Sequence, residues 1–147
     1  MSFPDRIVRT IELGHPPATV WAAVTTAEGL ASWFGHHADI DLRPGGTARI
    51  AWDDGARHDL RVERVEEPTA FAFTWQIHGM PEDDPRRTYV EFTLEPAGDP
   101  AGTSTQLTVT ETGFAQFPAD DHAVAYPDHV TGWERELGEL AAHLAAA

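Results

Sequence analysis

The sequence predicts an α+β domain in which one strongly curved antiparallel sheet of seven strands wraps around a long C-terminal helix. Three observations carry this expectation. Between "HADIDL" and "STQLTVTETGF" apolar residues recur at every second position, in short runs broken by turn residues. Ahead of those runs, two short stretches have helical spacing. Behind them, one long stretch repeats its apolar residues at helical spacing to the end of the chain. Hairpin-linked strands make an antiparallel sheet whose apolar face must be covered, and only the last helix is long enough to cover it.

"RIVRTIEL" reads as the first strand, through Ile7, Val8, Ile11 and Leu13, and Pro16 and Pro17 close it. Ala18 to Thr25 then carries Val20, Trp21 and Val24 at helical spacing. Thr25 or Thr26 is expected to cap a second short helix, with Glu28 in the manner of a capping box. That helix puts Leu30, Trp33 and Phe34 on one side before Gly35 stops it. The period then becomes that of strands. "HADIDL" points Ala38, Ile40 and Leu42 one way, and "TARIAW" points Ile50 and Trp52 inward. "HDLRVERVEE" turns Leu60 and Val62 inward, with His58 on the same parity. "AFAFTWQI" lines one face with Phe71, Phe73, Trp75 and Ile77, "TYVEFTLEP" with Val90, Phe92 and Leu94, and "STQLTVTETGF" with Leu107, Val109 and Glu111. "RPGG", "DDGA" and "AGDPAG" supply turns. "HGMPEDDPRR" is a loop, either a lid or a plain connector.

Pro127 suits the first position of the final helix, and Asp128 favours its positive end. From there Val130, Trp133, Leu137, Leu140, Ala141 and Leu144 form one apolar stripe. Gly132 and Gly138 each cost about 1 kcal/mol relative to alanine inside a helix. They call either for a close backbone approach or for a helix held by packing alone.

The 147 residues, 1–147, are expected to form a single domain. The formal charge is −14, and all ten basic residues are arginine. Such acidity repels phosphate backbones and anionic lipid, so neither nucleic acid nor a membrane is expected as partner. It suits a basic partner or simply a solvated surface. With no cysteine, disulfides, thiolate metal sites and cysteine nucleophiles are excluded. "MSFPDRIVRT" has no apolar run of signal-peptide length, and no stretch approaches the roughly 20 apolar residues of a membrane span. The expected location is the cytoplasm.

A long helix laid over a concave sheet cannot touch it everywhere, and a gap remains where side chains are small. The inward positions are mostly aromatic: Trp52, Phe71, Phe73, Trp75 and Phe92 from the sheet, Trp133 from the helix, and Trp33 with Phe34 at the open end. A tight core would use the same residues. The indoles tilt the reading toward a pocket, because a buried N–H wants a partner.

With these stretches in place, the chain resembles the START-like (SRPBCC) superfamily, which has the helix-grip fold. Within it, the chain is similar to the family named for the activator of heat-shock protein 90 ATPase homologue. The matching stretches are "ATVWAAVTTAEGLASWF", "DLRPGGTARI", "VEEPTAFAFTW", "YVEFTLEPAGDPAGTSTQLTVTETGF" and "GWERELGELAAHL". The resemblance implies the seven-stranded grip with a hydrophobic cavity between sheet and helix. It implies no invariant catalytic set, since the superfamily includes lipid and hormone binders and polyketide cyclases. Trp33, Phe34, Phe73, Trp75, Gly132 and Trp133 match recurrent motif positions that look like cavity or core residues. Relatives often carry a glycine where this chain has His58 and Asp59.

No serine sits in a nucleophile elbow. A metal would need histidines with carboxylates, as at His36, His37 and Asp39. Neighbours on a strand point to opposite faces, however, and there is no HExxH. No metal and no cofactor is expected. His58 and Glu111 share the inward parity, where apolar walls would raise the carboxyl's pKa and keep a nearby histidine charged. The alternative is that each lies wet at a strand end, paired with Arg49, Arg61 or Arg64. The candidate ligand-binding set is therefore Trp33, Phe34, Trp52, His58, Phe71, Phe73, Trp75, Phe92, Leu107, Glu111, Trp133 and Leu137. The expected function is binding or carriage of a small hydrophobic molecule, with a homodimer possible. One alternative is a cyclase- or hydrolase-like enzyme using His58 and Glu111. Another, from the family resemblance, is a co-chaperone stimulating heat-shock protein 90.

Overall fold

A computed structural model describes residues 5–77, 81, 83–98 and 103–146. The chain runs β1 (Arg6–Leu13), α1 (Pro17–Thr25), α2 (Ala27–Trp33), β2 (His37–Ile40), β3 (Thr47–Ala51), β4 (Arg57–Glu66), β5 (Ala70–Trp75), β6 (Thr88–Ala97), β7 (Ser104–Thr112) and α3 (Ala119–Ala146). A single 3-10 turn, Phe114–Gln116, precedes α3. The seven strands form one antiparallel sheet in the order β1-β7-β6-β5-β4-β3-β2. Every sheet neighbour is also a chain neighbour except β1, which reaches across to β7 with Arg6 opposite Thr112 and Leu13 opposite Thr105. A bulge between Val62 and Arg64 breaks the β4–β5 register. Such a bulge sharpens twist and helps the sheet to curl. The α+β helix-grip architecture is as the sequence predicts.

The inward set follows the alternation closely. Ile7 and Leu13, Ala48 and Ile50, Leu60 and Val62, Phe71 and Phe73, Val90 and Phe92, and Leu107 and Val109 are all buried. They meet Trp133, Leu137, Leu140 and Leu144 of α3. Leu42 departs from the pattern. It lies beyond the end of β2 and is exposed.

The two short helices pack unusually close. A Cβ on Gly29 would stand 2.4 Å from the Ala22 carbonyl oxygen, so only glycine fits at that crossing. Thr26, not Thr25, caps α2, accepting a hydrogen bond from the Gly29 N–H at 2.9 Å. Glu28 then falls one position short of the third helical residue that a capping box needs, and stays as an acid in the first turn. Thr25 instead donates to the Trp21 carbonyl at 2.7 Å, inside the core. Gly35, after α2, also stands where a side chain would collide: its Cβ would lie 2.6 Å from Ile50.

The final helix begins eight residues earlier than the proline suggests. α3 starts at Ala119, and Pro127 lies inside it. The extra turns are held by tertiary contact, with His122 stacked on Phe114 and Tyr126 edge-on to the same ring. The Tyr126 hydroxyl also donates to the Arg6 carbonyl at 3.0 Å, which ties this segment to β1. Gly132 and Gly138 face open space rather than a neighbouring backbone. No helix among the described residues is long and apolar enough to cross a membrane. Part of the "HGMPEDDPRR" loop and of the "AGDPAG" turn, residues 78–80, 82 and 99–102, lies outside the described residues.

Candidate functional site

One end of the sheet collects the starts of β4 and β6 and the ends of β5 and β7. There the tip of α2 and the middle of α3 close over it. They leave a cavity of about 110 Å³ lined by Phe34, Trp52, His58, Trp75, Asp128, His129, Gly132, Trp133, Arg135 and Glu136. The walls are rings in mutual contact. Phe34 lies 5.8 Å from Trp75 and 5.7 Å from Trp133, centroid to centroid, and His58 lies 4.8 Å from Trp75 and 5.6 Å from Trp52. Gly132 keeps the helix side open, because a Cβ there meets nothing within 4 Å.

Beneath the floor lies Glu111, with none of its surface exposed. A carboxylate so placed must be fully hydrogen-bonded, and this one is. Trp133 Nε1 donates to one oxygen at 2.8 Å; Trp75 Nε1 and the Thr88 hydroxyl donate to the other at 2.9 and 2.5 Å. His129 Nδ1 sits 2.8 and 2.9 Å from the two oxygens. Burial alone would push the Glu111 carboxyl up. The hydrogen bond and charge of His129, with the Thr88 and Trp75 donors, outweigh burial and hold it below the ordinary carboxylate range. The expected rise from apolar walls is therefore reversed, because polar donors reach the group through those walls. The arginine pairing is not made either. Arg49 pairs with Asp59 at 3.0 Å, Arg61 lies 3.7 Å from Glu63, and Arg64 pairs with Glu66 and Glu91.

The residues singled out from sequence divide into two groups. Phe34, Trp52, His58, Trp75 and Trp133 line the cavity, and Glu111 holds it from below. Phe71, Phe73, Phe92, Leu107 and Leu137 lie within the buried core cluster. Trp33 faces a second cavity of about 280 Å³ beside Gly35, His36 and Trp52, and donates its N–H to the Ala23 carbonyl at 2.7 Å. His58 and Glu111 do not pair; the histidine joined to Glu111 is His129. Sequence reasoning passed over His129, although it stands four residues before Trp133 on the face that carries the apolar stripe. Asp128, Arg135 and Glu136 complete the rim. Glu136 is buried, which raises its pKa; Arg135 at 3.3 Å partly offsets this, and Glu139 adds to it.

His36 and His37 converge after all, with His36 Nδ1 3.3 Å and His37 Nε2 2.9 Å from Asp53. His36 precedes β2, so strand alternation does not separate the two. No group of three or more metal-ligating side chains occurs among the described residues.

A curved sheet gripping a C-terminal helix, with an aromatic hollow at its open end, defines a START-like helix-grip protein. The family model described as "Activator of Hsp90 ATPase homolog 1-like protein" matches residues 14–145, and the chain belongs to that family. Among solved structures, it is similar to protein MLL2253 of Mesorhizobium loti, at 28% identity and a TM-score of 0.78, over 97% of this chain and 98% of that one. It also resembles DynU16, a protein of the dynemicin biosynthetic locus, at 27% identity and a TM-score of 0.76 over 97% of this chain; the match spans 48% of DynU16. An HSP90 activator of Plasmodium falciparum, PFC0360w, shares the fold at 20% identity and a TM-score of 0.76, over 97% of both chains. No curated protein matches the sequence.

Proposed function

We propose that this protein binds a small, mainly apolar molecule at the open end of the grip. The observation that carries the reading is the hollow bounded by Phe34, Trp52, Trp75 and Trp133 and kept open by Gly132. Aromatic walls with a few placed polar groups are the usual lining of a small-molecule site. At about 110 Å³ the hollow is smaller than the roughly 150 Å³ cavity that accommodates benzene, so at most one ring or an equivalent group is held inside. Any larger remainder of the ligand lies across the rim at Asp128 and Arg135. The test is tryptophan fluorescence against a panel of aromatic and acyl compounds. Saturable quenching that Gly132→Leu removes supports the reading, and no saturable response to the whole panel defeats it.

A co-chaperone role is the second reading, favoured by the family to which the chain belongs and by its likeness in fold to the Plasmodium activator. It is tested by adding the protein to heat-shock protein 90 and following ATP turnover. An unchanged rate at saturating protein removes it.

A further inference from the structure

We propose, resting on the pocket reading above, that the ligand carries an alkylammonium group on a short chain beside its ring, and that Glu136 is the carboxylate that receives it. Glu136 lines both hollows, the aromatic one of about 110 Å³ and the one of about 280 Å³ beside Trp33. It stands one helical turn after Gly132 on α3, so the opening over that glycine leads along one helix face to the carboxyl group. The residue is 8% exposed. Its partner is Arg135, whose Nη2 and Nε lie 3.3 and 3.4 Å from the same oxygen, Oε1. Side chains adjacent on a helix do not face each other, and these long contacts reflect that. Oε2 takes no hydrogen bond from any described residue. Yet among the described residues no side-chain nitrogen or oxygen is both sealed off and unpartnered. Oε2 is therefore reachable from the hollows that the side chain lines, and it is an acceptor without a donor.

The walls around this oxygen suit a cation. Trp52 borders both hollows, as Glu136 does, so an ammonium at the carboxylate also lies against an indole. Aromatic faces attract alkylammonium ions, more strongly where water is excluded. The other charged groups leave the place open. His129 faces Glu111 at 2.8 Å, His36 lies 3.3 Å from Asp53, and His58 packs against Trp52 and Trp75. Asp128 at the first rim and Glu139 in the second hollow repel an anion. Arg135 competes for Glu136, but its side chain is 67% exposed and can turn to solvent when the ligand arrives. Burial, with Glu139 adding to it, pushes the Glu136 carboxyl up, and an arriving cation reverses that. The ring then sits among Phe34, Trp75 and Trp133, and the chain crosses the rim on the Arg135 side to Glu136. Binding is by ion pair and hydrogen bond, and no covalent bond changes.

The experiment compares 2-phenylethylamine, a cation at neutral pH, with its neutral near-isostere 2-phenylethanol and with the anion 3-phenylpropanoate. Calorimetric titration reads the affinities in about 0.15 M salt, which screens the general surface charge beyond about 8 Å. The amine is expected to bind about tenfold more tightly than the alcohol, and the acid more weakly than either. Glu136→Gln keeps the shape and removes the charge. It is expected to bring the amine down to the affinity of the alcohol and to leave the alcohol as before. Arg135→Gln removes the competing cation from an exposed position, and is expected to tighten the amine about threefold without changing the alcohol. Equal binding of amine and alcohol by the unaltered protein overturns the inference while the pocket stands. So does an amine preference that survives Glu136→Gln, or one that Arg135→Gln weakens. If none of the three compounds binds, the pocket reading for single-ring ligands falls, and this inference with it. The unaltered protein and Arg135→Gln decide the matter even if Glu136→Gln does not fold.

Discussion

The indole rings of Trp75 and Trp133 stack with centroids 5.8 Å apart and planes 26° apart, and each donates its N–H to a different oxygen of Glu111. One ring comes from the sheet and the other from α3. The carboxylate beneath them is therefore a polar rivet between the two layers of the grip.

Replacing Glu111 with glutamine leaves one oxygen and one amide group facing indole, hydroxyl and imidazole donors that all need acceptors. At least one buried donor loses its partner. Glu111→Gln is expected to destabilise the fold by about 2–4 kcal/mol, read from urea unfolding. A cost below about 1 kcal/mol would mean that the rivet carries little.

Acid should loosen the same rivet. Glu111 has a folded-state pKa below its ordinary value of 4.5, so its contribution is complete above that value and is lost as pH falls through the lower folded value. The urea midpoint is expected to drop as pH falls below the ordinary carboxylate value of 4.5, and Glu111→Gln should flatten that slope. An unchanged slope in the variant would assign acid sensitivity to other carboxyls.

Glu136 has the opposite sign. Burial raises its pKa above 4.5, so the folded state favours the protonated acid and loses stability as pH rises from that value to the folded one. Glu136→Gln is expected to raise the urea midpoint at neutral pH, with the gain shrinking in acid. A variant less stable than the parent at neutral pH would contradict this.

Gly132 and Gly138 both face open space, and alanine at either should add up to about 1 kcal/mol of helix stability. Only Gly132 lines the cavity. Gly132→Leu is therefore expected to fold well and abolish ligand-induced quenching, while Gly138→Leu leaves quenching intact. Fluorescence titration of the two variants beside thermal melting separates the effects.

At Gly29 there is no such freedom. A methyl group would stand 2.4 Å from the Ala22 carbonyl oxygen and 2.7 Å from the Ala23 Cα, both backbone atoms. Gly29→Ala is expected to cost about 1–3 kcal/mol in thermal or urea unfolding.

Much of the sheet could be read from alternation, because "AFAFTW" and its neighbours put one class of residue on one face at a fixed period. The inward aim of Glu111 followed from the same parity. Its partners did not, because His129 meets Glu111 only after α3 has docked, and nothing local in "PDHVTGW" says where that helix lands. The start of α3 was obscured for a related reason. "ADDHAVAY" has little apolar periodicity of its own, and its helix is stabilised from outside by Phe114 and by the Arg6 carbonyl. Pro127 gave the stronger local signal and the wrong boundary. Which aromatics are core and which are wall was equally hidden, since Phe73 and Trp75 share a strand face and differ only in how near the open end they stand.

The pairing of β1 with β7 has a consequence for the order in which a growing chain acquires its shape. Thr10 meets Thr108 across 98 positions of sequence, and among the described residues β7 is the sole sheet neighbour of β1. On a ribosome the hairpins from β2 to β6 can pair as they emerge, while β1 waits, with Ile7 and Leu13 uncovered, until β7 has been synthesised.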